Sequence, residues 1–153
     1  YKHTSQISRN FFGYVPQSNF YLNSSIVENI ALGEKNSSIN QEHLNNILKI
    51  VGINSENFGN DFISKQIGEN GSNFSGGQLQ RISIARSLYL KPKFLILDEA
   101  SNQLDKESEE KLLSNILSNF KELTLVIISH NFSTIKNKLD LFEIKNFKIS
   151  KIN

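Results

Sequence analysis

Two carboxylates in succession, Asp98 and Glu99, follow the apolar run Phe94-Leu95-Ile96-Leu97. A second apolar run, Leu123 to Ile128, ends on Ser129-His130, and a shorter one, Phe12 to Val15, ends on Pro16-Gln17. Two acids, an imidazole and an amide, each placed after an apolar run, suit phosphoryl chemistry. Breaking a phosphoanhydride needs a metal to neutralise oxygens, a group to orient or deprotonate water, and donors for the terminal phosphate. Asp98 suits Mg²⁺, directly or through a water, because that ion takes few carboxylates and keeps its waters. Glu99 suits a general base. Gln17 can reach both water and metal, and His130 can donate to the phosphate. A lone histidine after a strand is ordinarily a solvated loop residue. The weight lies in the joint placement of four polar groups at three strand ends.

A second set lies upstream of the acids. Ser75-Gly76-Gly77-Gln78 opens a stretch in which Leu79, Ile82, Ala85 and Leu88 share one helical face, and Lys91-Pro92 stops it. The exposed N–H groups and dipole of a helix start form an anion site. Two glycines there let the backbone approach a ligand closely. Alone, the tetrapeptide also fits an ordinary capped helix. Its specificity comes from the apolar strand and Asp98-Glu99 that follow. No G-x-x-x-x-G-K-[ST] phosphate loop occurs in the chain.

The elements that must position these groups are legible. Phe12 to Val15 reads as a strand. Ser24 or Ser25 caps a short helix, Ile26 to Leu32. Asn40 caps a helix with Leu44, Ile47, Leu48 and Val51 on one face, ended by Gly52. Residues 54–71 read as loop. Phe94 to Leu97 is wholly apolar, as in a strand buried on both faces of a parallel sheet. Asp105 caps the next helix, which has Leu112, Leu113, Ile116, Leu117 and Phe120 inside, and Leu123 to Ile128 reads as a second, fully buried strand. A short helix from Ser133 to Leu139 and two weak strands, Leu141 to Ile144 and Lys148 to Ile152, close the chain. Strand, helix, strand in one sheet implies a parallel pair with a right-handed crossover. Both strand ends then lie at the edge where open α/β sheets bind ligands.

Composition bounds the rest. The chain has 153 residues, 17 basic and 15 acidic, a balance that argues against nucleic acid or an anionic membrane surface as the main partner. The absence of cysteine excludes disulfides and thiol chemistry. No apolar run in these residues reaches membrane-spanning length, and none of them reads as a signal peptide. The chain starts at Tyr1 and lacks methionine, so a fragment of a longer protein is expected. Of three arginines, Arg9, Arg81 and Arg86, two fall just after the paired glycines.

The succession of segments resembles the ATPase domain of ABC transporters over nearly the whole chain. Tyr14-Val15-Pro16-Gln17 is similar to the Q-loop, and Phe74-Ser75-Gly76-Gly77-Gln78 to the signature motif, with Phe in the usual Leu place. Phe94 to Glu99 resembles Walker B with its catalytic glutamate, and Ser129-His130 the switch histidine. Ser101-Asn102-Gln103-Leu104-Asp105 is similar to the D-loop, with Asn102 and Gln103 in place of the usual Ser-Ala. Ser25 to Ala31 and Ile67 to Gly71 resemble segments of exporter-type members, and Glu143 to Lys148 the final hairpin, with Phe147 where a turn glycine is usual.

The resemblance implies an α/β, P-loop NTPase-like fold with a mostly parallel sheet. Residues of about 18–90 would form a helical subdomain and about 91–153 a catalytic core, with the first strands and Walker A missing and apolar surface exposed. It implies a head-to-tail dimer with a second ABC ATPase domain, sandwiching ATP and Mg²⁺. One site would take catalytic Glu99, His130 and Gln17, with Asp98 and Gln17 at the metal. The other would take Ser75, Gly76, Gly77 and Gln78, and Asp105 is a further nucleotide-binding candidate. A transmembrane domain in the same polypeptide, the cytoplasmic face of the cell membrane, and ATP hydrolysis coupled to export or flipping complete the expectation. The alternatives are a degenerate, non-catalytic remnant and a soluble ABC-type ATPase. The 153 residues alone, without Walker A, are expected to be inactive.

Overall fold

The computed structural model describes residues 10–130 and 140–152. Strands β1 (Phe12–Val15), β2 (Phe94–Asp98) and β3 (Thr124–Ile128) form one sheet in the order β1-β2-β3, with both pairings parallel. The register sets Val15 beside Leu97 and Asp98 beside Ile128, so the three carboxyl ends share an edge. Between β1 and β2 lie helices α1 (Ile26–Ile30), α2 (Gln41–Val51), α3 (Ser55–Phe58) and α4 (Gly76–Tyr89). Helix α5 (Lys106–Asn119) links β2 to β3, and β4 (Leu141–Lys145) pairs antiparallel with β5 (Lys148–Ile152). The helix expected over Ser133 to Leu139 lies outside the described residues.

Local chemistry explains the helix boundaries. Ser25 and Glu28 form a capping box on α1, and Ser75 and Gln78 form another on α4. Asn40 accepts the His43 N–H at 2.9 Å to start α2. Gly52 ends it in the left-handed conformation, φ 72°. Helix α1 stops earlier than expected because Ala31 leaves the helical region and turns, its carbonyl accepting from the Glu34 N–H at 3.0 Å. The segment read as loop, 54–71, contains α3 and two 3₁₀ turns, Phe62–Ser64 and Glu69–Gly71. Single turns are too short to show periodicity. Two backbone bonds tie this segment to the start of α1: Ile26 N–H to Lys65 O at 3.1 Å and Ile67 N–H to Ser24 O at 2.8 Å.

One apolar cluster joins helices and sheet, with Ile26, Leu44, Ile47, Ile82, Leu88, Leu95, Leu97 and Leu112 fully buried. Side chains alternate along a strand. Val15, Leu95, Leu97, Leu125 and Ile127 face this cluster. Phe12, Tyr14, Val126 and Ile128 face the other way and are exposed, and Ile96 is only partly covered. The expectations that β2 is buried on both faces and that Leu123 to Ile128 is fully buried are therefore corrected. An apolar run reads the same whether one face is covered or two, and among the described residues nothing covers the second. The expected exposed apolar surface is this face.

The two arginines of α4 are structural clamps. The Arg86 guanidinium donates to Asn29 O at 2.7 Å, Phe20 O at 2.8 Å and Asn29 Oδ1 at 3.0 Å, and lies over the Tyr21 ring. Asn29, itself fully buried, exchanges hydrogen bonds with the Leu22 backbone at 2.9 and 3.0 Å. The segment that follows Gln17 is thus locked to α4. Arg81 donates to Val51 O at 2.6 Å, holding the end of α2. Burial lowers the pKa of both guanidiniums, which remain charged.

Candidate active site

The parallel register delivers Gln17, Asp98, Glu99 and His130 to one edge of the sheet. Gln17 Nε2 donates to Glu99 Oε2 at 2.7 Å. His130 Nε2 meets Glu99 Oε1 at 2.7 Å. Three of the four groups proposed from sequence are therefore in direct contact, and Glu99 is their centre. Its side chain is 16% exposed, whereas that of His130 is 91% exposed. A sheltered carboxylate with a solvent-facing imidazole at its rim can receive a proton inside while the imidazole reaches outward.

The backbone at Glu99 is unusual. It sits at φ 51°, in the left-handed region that a non-glycine residue enters at a cost of about 1–3 kcal/mol. Its N–H is held by Ile128 O at 2.9 Å and its carbonyl accepts from the Asn102 N–H at 3.3 Å. These bonds turn the chain out of β2 and set the side chain on the edge.

Asp98, one residue earlier, points to the bare face of the sheet. The Tyr14 hydroxyl donates to Asp98 Oδ2 at 2.9 Å, and this bond to the carboxylate raises the Tyr14 pKa above its ordinary value. Among the described residues no cluster of three or more acids and histidines could cage a metal. The donor set fits an ion that takes one protein carboxylate and fills its shell with water and phosphate oxygens, as Mg²⁺ does.

Ser75, Gly76, Gly77, Gln78 and Asp105 do not join that edge set. They line a separate groove of about 810 Å³ with Arg81, Asn57 and Lys111. The Ser75 hydroxyl accepts the Gln78 N–H at 3.3 Å, and Gln78 Oε1 accepts the Ser75 N–H at 2.8 Å. Gln78 Nε2 donates to Asn57 O at 2.6 Å, so both ends of that amide serve the protein. The N–H groups of Gly76 and Gly77 are left without intrahelical acceptors. The glycines have a second use: a Cβ on Gly76 would overlap the Gln103 side chain, and one on Gly77 would lie 3.1 Å from Leu104 Cδ2. Asp105 accepts the Ser108 N–H at 2.9 Å as the cap of α5, and that bond holds its carboxyl below the usual range.

Two contacts of the edge set escaped the sequence reading of site residues. Asn102 Nδ2 donates to Glu99 Oε2 at 3.0 Å, and Tyr14 reaches Asp98. The first needs the turn after Glu99 to be known. The second follows from register, since Tyr14 pairs with Ile96 and Asp98 is the next residue on that face.

The family model for ABC transporter proteins matches residues 1–102. The chain belongs to the ABC transporter family. An export ATP-binding/permease protein of Rickettsia typhi is 44% identical over 132 residues, covering 84% of this chain and 22% of the relative. The alpha-hemolysin translocation ATP-binding protein HlyB of Escherichia coli is 40% identical over 144 residues, 90% of this chain and 19% of HlyB. A bacterial Atm1-family ABC exporter solved with ATP bound matches at a TM-score of 0.73 and 31% identity, over 83% of this chain and 22% of that one. This ABC transporter chain thus spans about a fifth of the length of such relatives, and its fold is that of an ABC exporter ATPase domain. No helix among the described residues is long and apolar enough to cross a membrane.

Proposed function

We propose that this chain is the nucleotide-hydrolysing part of an exporter-type ABC transporter, coupling ATP hydrolysis to export or flipping of a substrate. The observation that carries the reading is the Glu99 carboxylate, sheltered and held by donors from two other strand ends, Gln17 and His130. Glu99 accepts a proton from water as that water attacks the terminal phosphorus. The bond to the bridging oxygen breaks, and ADP leaves with the electron pair. Gln17 orients Glu99 and the water, and His130 donates to the terminal phosphate. Mg²⁺, when bound, neutralises phosphate oxygens; Asp98 would hold it, with Gln17 nearby.

Separation of the edge set from the Ser75–Gln78 groove supports a shared arrangement. One chain offers Gln17, Asp98, Glu99 and His130 to one nucleotide. Its α4 start, with Ser75, Gly76 and Gly77 and Gln78 behind them, faces a second nucleotide held by a head-to-tail partner domain. Asp105 borders that groove and acts through the loop it anchors. In this reading residues 18–90 are the helical subdomain and 91–153 the catalytic core. The domain works at the cytoplasmic face of the membrane beside a transmembrane domain of the same polypeptide. The 153-residue chain has no lysine-bearing phosphate loop and, in this reading, should not turn over ATP by itself.

The test is Glu99→Gln in the full-length protein. Turnover should be lost while ATP-dependent dimerisation persists. Turnover at the parental rate would remove Glu99 from the base role.

A further inference from the structure

We propose that Asn102 is a positioning residue for Glu99, the fixed member of the three donors around its carboxylate. The inference rests on the reading of Glu99 as general base. Gln17 and His130 come from other strand ends, and each has a second task, at metal, water or phosphate. Asn102 sits three residues after Glu99 on the same turn, which its own N–H closes onto Glu99 O at 3.3 Å. Its amide therefore moves with the base.

The oxygens are divided accordingly. Oε2 takes Asn102 Nδ2 at 3.0 Å and Gln17 Nε2 at 2.7 Å, whereas Oε1 faces His130. When Gln17 and His130 turn to the substrate, Asn102 keeps Oε2 and stops the carboxylate rotating. Oε1 is then the oxygen presented to water.

The loop carrying Asn102 is built to hold still. Ser101, buried, bonds the Glu109 carboxylate through its hydroxyl. The Gln103 N–H donates to Oε1 of the buried Gln80 at 3.2 Å, and Asp105 caps α5. Asn102 is thus an exposed side chain on an anchored backbone, so its substitution should leave the fold intact.

The experiment compares Asn102→Ala, Asn102→Asp and Glu99→Gln in the full-length protein, measuring kcat and KM for ATP. A misplaced catalytic group costs up to about a hundredfold. Asn102→Ala should lower kcat about tenfold with KM for ATP unchanged, the loss falling within that range. Asn102→Asp, the same shape with a carboxylate facing Glu99, should lower kcat further. A residue serving only the turn would accept Asp as readily as Asn, so parental kcat in Asn102→Asp would overturn the proposal, as would a loss confined to KM. Glu99→Gln separates the two claims. If it turns over, the base assignment fails; if it is silent while Asn102→Asp is fully active, only the role of Asn102 fails.

Discussion

Gln17 and Glu99 are bonded at 2.7 Å although 82 residues separate them in sequence. The bond joins the end of β1 to the end of β2 and is possible only because the strands are parallel and in register. Gln17→Glu would set a second carboxylate against the first. At least a tenfold fall in kcat is expected, since like charges at this range oppose each other by about 1.5 kcal/mol even in water, and about 1.4 kcal/mol is tenfold in rate. Gln17→Ala should fall less. Steady-state ATPase rates of the full-length protein check the order.

The buried amide of Asn29 holds the Leu22 backbone and receives the Arg86 guanidinium. Asn29→Ala leaves these partners unsatisfied, and a loss of about 3 kcal/mol or more is expected from several buried groups orphaned together. Urea unfolding of the chain measures it. Arg86→Lys should recover little, because an ammonium cannot reproduce the fork.

The two glycines of α4 should respond differently to alanine. At Gly76 the obstacle is the far end of the Gln103 side chain, which can swing away. At Gly77 a Cβ would meet the Gln103 carbonyl at 3.2 Å as well as Leu104. Gly76→Ala should be neutral or stabilising, as helix propensity favours. Gly77→Ala should destabilise by about 1 kcal/mol through overpacking. Thermal melts of both variants decide.

Acid should weaken two helix starts. The Ser108 N–H and then its hydroxyl hold the Asp105 carboxyl below its usual pKa; the Ser25 N–H and then its hydroxyl do the same for Glu28. A depressed folded pKa contributes stability above the unfolded value, about 3.9 for Asp and 4.3 for Glu. That contribution is lost as pH falls through the folded value. Asp105→Asn keeps an acceptor at the cap without the titration. Its melting temperature should therefore fall less than the parent's between neutral pH and about pH 3, below both of those reference values.

Phe147 is the most exposed large apolar side chain of the described residues, and its φ is 58°, following Asn146 at 50°. A two-residue hairpin turn with both φ positive favours Asn-Gly. Phe147→Gly should stabilise the β4–β5 hairpin by about 1 kcal/mol, the scale of relieved left-handed strain. Amide exchange across the Leu141–Ile152 pairing would register the gain.

What the sequence made legible was whatever local chemistry determines. Ser75, Asn40 and Asp105 cap helices because their side chains reach an N–H three residues on. Gly52 ends α2 because its φ is left-handed. The strand ends could be read from apolar runs, and the register then brought Gln17, Glu99 and His130 together. The Asn102 contact escaped because it depends on backbone geometry with no sequence signature. Glu99 leaves β2 at a φ that its residue type disfavours, and only that turn returns Asn102 to the carboxylate. Likewise Gly76 and Gly77 read as room for a ligand, whereas the loop of Gln103 and Leu104 also uses that room. The covered and bare faces of the sheet could not be told apart from β2 alone, because a uniformly apolar run carries no period.

The bare side of the sheet has a thermodynamic signature. Phe12, Tyr14, Val126 and Ile128 are already hydrated in the folded chain, so unfolding adds little new apolar contact with water there. The heat-capacity increment per residue should fall below the usual ~12–15 cal/mol/K of globular domains, and denaturant dependence should be shallow to match. Its folding free energy should vary gently with temperature, and anything that later settles on that face should announce itself calorimetrically by a negative change in heat capacity.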